Sequence, residues 1–313
     1  MHSVDLPNTD PNAPSTSALK PIPDGCDCHV HVIGSPEDYP FSAKRAYTSP
    51  PASVEQLKAH LNQEGLFRVV LIQPSFYGTD NQCMMDALKV LGNRARGVAV
   101  IDDDTPEAEL SALHEGGIKG VRINLASFGE GSPDVIKKAL EKIESRVTPF
   151  GWHIQLYASA HMLGQTAEVL ASLKTQVVLD HFAMVKPGQQ VSETEQDAIL
   201  SLIRSGKAYV KLSAPYRLLP QPSSPRHLST DMPGYHELAL VAKAFIKANP
   251  ERILWGSDWP HTDRDAGKGA MEISPFRQVD DLHNLALLKE WAGSEEQAHK
   301  ILVENPARLY GFS

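Results

Sequence analysis

Short apolar runs alternate with amphipathic stretches from Asp24 almost to the carboxyl end. The runs are rich in Val, Ile and Leu and are bounded by polar or turn residues, which predicts buried strands. Eight are expected: Asp27–Ile33, Arg68–Gln73, Gly97–Ile101, Gly120–Asn124, Trp152–Tyr157, Val177–Asp180, Ala208–Leu212 and Ile253–Gly256. Between them, apolar positions recur at helical spacing in Ser53–Glu64, Asp80–Leu91, Pro106–Glu115, Asp134–Arg146, Ala160–Leu173, Glu193–Arg204 and Tyr235–Ala248. Three more helical stretches, Val279–Trp291, Glu295–Leu302 and Pro306–Tyr310, follow the last strand. Ser53 with Gln56, and Thr105 with Pro106, read as helix starts.

Strands that each hand on to a helix predict an α/β protein, a single (β/α)8 TIM barrel. An open doubly wound sheet is the competing topology. It usually carries a glycine-rich phosphate turn after its first strand, and Ile33-Gly34-Ser35-Pro36 is not one. No linker interrupts the alternation, so residues 24–313 are read as one domain. Residues 1–23, rich in Pro, Ser, Asn and Thr, are read as a flexible, disordered tail. Two long connections, Gly34–Pro51 and the proline-rich Ser213–Gly234, follow strands one and seven and are expected to cover the barrel's mouth.

Polar residues break the apolar pattern near strand ends. The first run reads Asp27-Cys28-His29-Val30-His31, and strict alternation puts Asp27, His29 and His31 on one face, with Cys28 and Val30 on the other. Two imidazoles in one volume can hold a metal, donate to an oxyanion or move protons. Asp258, in Trp255-Gly256-Ser257-Asp258-Trp259-Pro260, would complete a hydrolytic centre. The remaining strand ends supply Gln73 and Ser75, Arg122 and Asn124, Tyr157, His181 and, a little later, Arg217. Each also has a plain reading. His181 can be a satisfied structural histidine, Arg122 can pair with a protein acid, Arg217 can be a loop charge and Tyr157 can cap the barrel. His153 is expected on the barrel floor, and His261 behind the site or on the surface. Asp102 is left without a role.

A formal net charge of −8 argues against a nucleic-acid or polyanion partner. No stretch is apolar and long enough for a membrane span, and the start lacks a secretory pattern, so a cytoplasmic enzyme is expected. Three cysteines, Cys26, Cys28 and Cys83, suggest a reducing compartment, with Cys26 and Cys28 as small wall-packing residues.

The histidine pair on strand one, His181 after strand six and Asp258 after strand eight resemble the amidohydrolase superfamily. The resemblance runs from Asp24 to the end. Strand four reads Val121-Arg122-Ile123-Asn124, without the lysine that bridges two metals in part of that superfamily, so a two-metal centre is not expected. More narrowly, several segments are similar to the 2-pyrone-4,6-dicarboxylate lactonase group: Asp27–Gly34, Phe41–Tyr47, Gly78–Asn81, Ala112–Asn124, Asp180-His181, Trp255–His261 and Asn305–Tyr310. The resemblance implies hydrolysis of a small anionic, carboxylated lactone, with Asp258 as general base. It implies that His29, His31, His181 and Tyr157 polarise the carbonyl, and that Tyr47, Ser75, Arg122 and Arg217 hold the substrate, with Asn124 beside them. Phe128 stands where that group has a second arginine, and Tyr77 where it has a histidine, which points to a differently substituted substrate. No cofactor is favoured. The alternative is a single Zn2+ on His29, His31 and Asp258, which would suit a zinc-dependent decarboxylase of the aminocarboxymuconate semialdehyde type. A sugar-lactone isomerase and a small-anion binding protein are the other readings.

Overall fold

The computed structural model of the protein describes residues 21–125, 133–188, 191–219, 233–265 and 267–313. Phe128, and the expected tail up to residue 20, lie outside them. Eight strands pair in parallel in the order of the chain: β1 (Cys26–Val30), β2 (Arg68–Ile72), β3 (Ala95–Ala99), β4 (Ile118–Asn124), β5 (His153–Tyr157), β6 (Val177–Leu179), β7 (Ala208–Ser213) and β8 (Ile253–Gly256). The last strand meets the first just past its end. Asp258 N–H donates to the His29 carbonyl at 2.9 Å, and His31 N–H donates to the Trp259 carbonyl at 2.8 Å. The expected barrel is therefore present, its closure made by the two segments that carry the candidate chemistry.

The helices follow their strands: α1 (Val54–Glu64), α2 (Gln82–Leu91), α3 (Glu107–Glu115), α4 (Pro133–Val147), α5 (Ala160–Gln165), α6 (Ala167–Ser172), α7 (Glu193–Arg204) and α8 (Tyr235–Ala248). After β8 come α9 (Asp281–Ala292), α10 (Glu295–His299) and α11 (Asn305–Tyr310), with a π-helical stretch, Lys300–Glu304, joining the last two. Ser53 and Gln56 close a capping box at the start of α1, as the sequence suggests. Ala160–Leu173, expected as one helix, is broken at Thr166. The Thr166 hydroxyl donates to the Met162 carbonyl at 2.7 Å, the side-chain back-bonding that bends helices.

Two apolar layers result. Val69, Leu71, Val121, Ile154 and Leu179 face the helices. Cys26, Cys28, Val70, Ile72, Val98, Val178 and Leu254 pack together inside, closed below by Tyr209, Tyr310 and Phe312. This sorting follows the two-residue period of each strand. Cys26 and Cys28 are buried, free thiols in that inner layer. His153 lies on the floor as expected, edge-on to Tyr310 at 5.3 Å.

Strict alternation fails in β1. Its register with β2 runs Cys26–Arg68, Asp27–Val69 and then Val30–Leu71, so one extra residue is inserted in β1. Such a bulge turns a side chain to the other face. Asp27 therefore does not share the face of His29 and His31. Its carboxylate accepts the N–H groups of His29 and Ser257 at 3.0 and 3.1 Å and the Ser257 hydroxyl at 2.5 Å, and it reaches toward His60 of α1. It fastens β1 to the end of β8. β3 also sits two residues earlier than expected, because Val100 leaves the sheet and both its N–H and its C=O bond the Asn81 side chain.

Candidate active site

At the carboxyl ends of the strands, His29, His31, His181 and Asp258 come together, all of them buried. Non-glycine residues there have left-handed backbones, among them His181 (φ 48°) with Phe182, Ala183 and Met184 after it, Ala214 (φ 50°) and Asp258 (φ 69°). Each such residue costs about 1–3 kcal/mol and persists where its surroundings fix it. Here the strained residues carry or flank the polar ring.

Asp258 is the hub. Its Oδ2 accepts the Tyr216 hydroxyl at 2.5 Å and Arg217 Nε at 2.9 Å. Its Oδ1 has no hydrogen bond among the described residues and lies 3.5 Å from His29 Nε2 and 3.4 Å from His31 Nε2. Burial alone would raise the carboxyl. Arg217 first, then His181, His31 and His29, outweigh it and hold Asp258 well below the usual carboxylate range. Burial pushes His29 far below the ordinary imidazole value, and Lys211 pushes it further in the same direction. His181 is pushed down to about 4 by burial, against Asp258 and Asp180. At neutral pH these two imidazoles are therefore uncharged beside an ionised Asp258.

The other expected residues divide. Tyr157 sits edge-on to His181 at 5.8 Å, under the Arg122 guanidinium at 5.3 Å. Arg122 Nε pairs with Asp180 Oδ2 at 2.9 Å, so the protein-acid reading holds for that edge. Its two terminal amino groups have no hydrogen bond to a described residue. Arg217 is tied to Asp258 by Nε and to the Thr262 carbonyl by Nη2 at 2.7 Å. Tyr47 reaches the Thr262 hydroxyl at 3.3 Å and so belongs to the same corner. Ser75 and Asn124 are exposed at the ends of β2 and β4, and Ser75 takes no part in the set around Asp258. Gln73 is a loop fastener rather than a rim residue, donating to the Asp80 carbonyl at 2.6 Å. Tyr77 accepts the Gly34 N–H at 3.1 Å and is buried as a prop for that loop. Asp102 closes its own turn onto Thr105. His261 stands behind the site, edge-on to Tyr216 at 5.8 Å and bonded to Asp281 at 2.7 Å.

Three residues not expected from the sequence complete the site. Asp180 takes Arg122, Tyr216 takes Asp258, and Lys211 of β7 is fully buried beneath His29. Lys211 donates to Gln155 Oε1 at 2.8 Å and lies 3.4 Å from His29 Nδ1 and 3.9 Å from Asp180 Oδ1. A lysine inside the run Ala-Tyr-Val-Lys-Leu-Ser was the available signal, since a buried ammonium demands acceptors.

The donor types for one divalent cation are also present. Ligand atoms of His29, His181 and Asp258 lie within 4.8 Å of one another. Two of these residues carry a buried atom with no hydrogen bond among the described residues, His29 Nε2 and Asp258 Oδ1, so the set fits such an ion. His181 joins two of the expected three in this cluster, and His31, its Nδ1 bonded to the Ile72 carbonyl at 2.7 Å, keeps Nε2 3.4 Å from Asp258 Oδ1. Among the described residues no helix is long and apolar enough to cross a membrane.

Known proteins resemble this chain in sequence and fold. The chain is 33% identical to a 2-pyrone-4,6-dicarboxylate hydrolase of Comamonas testosteroni, over 95% of this chain and 93% of that one. It is 28% identical to a 4-sulfomuconolactone hydrolase of Hydrogenophaga intermedia, over 92% and 89%. The crystal structure of a probable 2-pyrone-4,6-dicarboxylic acid hydrolase from Acinetobacter baumannii, with citric acid bound, superposes with a TM-score of 0.74 at 28% identity, over 92% of this chain and all of that one. The amidohydrolase family model matches residues 26–312, from the first residue of β1 to the floor of the barrel, and the chain belongs to that family of enzymes.

Proposed function

We propose that the enzyme opens a small lactone bearing an acid group by adding water to the ring ester. The observation that carries this reading is the state of Asp258: buried, ionised, one oxygen held by Tyr216 and Arg217, the other open beside two imidazoles. In this reading Asp258 takes a proton as water attacks the carbonyl carbon, then returns it to the ring oxygen as the ester bond breaks. Neutral His29 and His181, with the Tyr157 hydroxyl, face the charge that grows on the carbonyl oxygen. A carboxylate of the substrate takes the open terminal amino groups of Arg122, whose Nε edge is anchored by Asp180. Tyr47 and Arg217 border that volume, and Ser75 and Asn124 stand at its rim.

The named relatives support the class, since both hydrolyse lactones with anionic substituents by their names, and the Acinetobacter structure carries a tricarboxylic acid. We propose the metal-free form of this reaction. Where a divalent ion is bound, His29, His181 and Asp258 would hold it, and it would supply Lewis-acid polarisation of the carbonyl.

That same three-residue cluster favours a second reading, metal-dependent decarboxylation. One screen separates the two. Carboxylated lactones are offered to purified enzyme in a pH-stat while evolved carbon dioxide is measured. Hydrolysis predicts one acid released per lactone consumed and no gas. Carbon dioxide from an unsaturated or aromatic acid, with no lactone turned over, would overturn the proposal.

A further inference from the structure

The two imidazoles of β1 meet different partners at Nδ1. His31 Nδ1 lies 2.7 Å from the Ile72 carbonyl oxygen, which can only accept. Its hydrogen is therefore on Nδ1, and neutral His31 turns a bare Nε2 toward the site. His29 Nδ1 has two neighbours at 3.4 Å, the Lys211 ammonium and Asp180 Oδ1. They ask for opposite tautomers. A carboxylate would draw the hydrogen to Nδ1, and an ammonium would expel it to Nε2.

Three features decide between them. The Lys211 ammonium has three N–H groups and no acceptor. It is fully buried, and the acceptors placed around it are Gln155 Oε1, Asp180 Oδ1 and His29 Nδ1. A hydrogen on Nδ1 would remove one of these and set two N–H groups against each other. Asp180 Oδ1 is itself buried, 3.4 Å from Nδ1 and without a hydrogen bond among the described residues, but Arg122 Nε and Lys211 compensate its charge, and Lys211 rather than Asp180 meets Nδ1 in hydrogen-bonding geometry. On the far side, His29 Nε2 and Asp258 Oδ1 are both buried, both without a hydrogen bond among the described residues, and 3.5 Å apart. His31, its hydrogen on Nδ1, brings only a lone pair to the same Asp258 Oδ1 at 3.4 Å, so a hydrogen on His29 Nε2 is what gives that carboxylate oxygen a donor from this pair of rings.

We propose that Lys211 is a positioning residue that holds metal-free His29 in the Nε2–H tautomer, so that the two histidines of β1 present opposite chemistry to one volume. His29 offers a hydrogen and His31 a lone pair. His29 can then meet a developing oxyanion, while His31 can only receive a proton there. The kinetic consequence rests on the lactone reading; the tautomer does not.

The test uses chelator-treated protein labelled with 15N-histidine, with resonances assigned through His29→Gln and His31→Gln variants. Long-range proton–nitrogen correlation reads the tautomers directly. The expected pattern is Nε2–H for His29 and Nδ1–H for His31. In Lys211→Met, which keeps the length of the side chain and removes its charge, His29 is expected to move to Nδ1–H, donating to Asp180. On a lactone that is a substrate, kcat should then fall about a hundredfold, as for one lost oxyanion donor, with KM changed far less. A wild-type His29 with its hydrogen on Nδ1 overturns the proposal without any variant being needed. An unchanged His29 tautomer in folded Lys211→Met overturns it as well. Absence of turnover with every lactone, beside the expected tautomers, would sink the lactone reading and leave the role of Lys211 standing.

Discussion

At the scale of single residues, Arg217 and Asp258 carry the main tension of the site. Ion pairing keeps the carboxylate charged, and the same pairing weakens it as a base. Because Asp258 is held well below 3.8, its ionisation should put no acid limb on kcat/KM at or above that pH. Arg217→Met removes the largest counter-charge that lowers it. The carboxyl must then rise, and an acid limb should move up into the measurable range. A pH profile unchanged in Arg217→Met would contradict the pairing. How much of this was readable in the chain varied by residue. Asp258 and His181 stood out as polar side chains closing apolar runs. Arg217 was read as a substrate ligand, yet two of its donors serve Asp258 and Thr262. Lys211 and Asp180 are not legible in this way, because each looks like an ordinary break in a strand until its neighbours from other strands are known.

At the scale of elements, the meeting of β1 and β8 sets the histidine geometry. Gly256 is needed there for space. A Cβ on it would lie 2.7 Å from both the backbone nitrogen and the Cβ of His29. Backbone cannot yield as a flexible side-chain end can, so Gly256→Ala should displace His29. The expected cost is about 1–3 kcal/mol of stability, typical of overpacking, with a larger relative loss of turnover. Wild-type kinetics and an unchanged denaturation midpoint would rule out that close approach. The bulge in β1 belongs to this scale too. Alternation in the sequence placed Asp27 with His29 and His31. The inserted residue is a matter of register with β2, which one strand's sequence does not display. Strand and helix order, by contrast, is plain from periodicity, because five of the eight strands are buried at every position and the other three at most positions.

At the scale of the whole molecule, burial of neutral imidazoles ties stability to pH. His153 on the floor is pushed down to about 3 and His181 to about 4, in both cases chiefly by burial. The sign is fixed by linkage. Below the unfolded value of about 6.5, the unfolded chain binds protons that these folded-state imidazoles refuse. Stability is therefore fully present above pH 6.5 and falls as pH drops toward 4 and then 3. The loss is on the order of a few kcal/mol per histidine. Asp180 and Asp258, both depressed, add losses of the same sign at lower pH. Urea midpoints measured between pH 7 and 4 should decrease steadily, and His153→Gln should flatten the slope if it folds. A midpoint independent of pH over that range would show that these rings are not buried in their neutral form.

The central claim is that Asp258 moves the proton when water opens the lactone. The most direct measurement is single-turnover hydrolysis of the best carboxylated lactone by Asp258→Asn and wild type, with binding followed separately. A fall of about 10²–10⁴-fold in the hydrolytic rate is expected in protein that still folds and still binds the lactone, with a lowered denaturation midpoint because Arg217 loses its counter-charge. A folded Asp258→Asn enzyme that hydrolyses the lactone at close to the wild-type rate would contradict it.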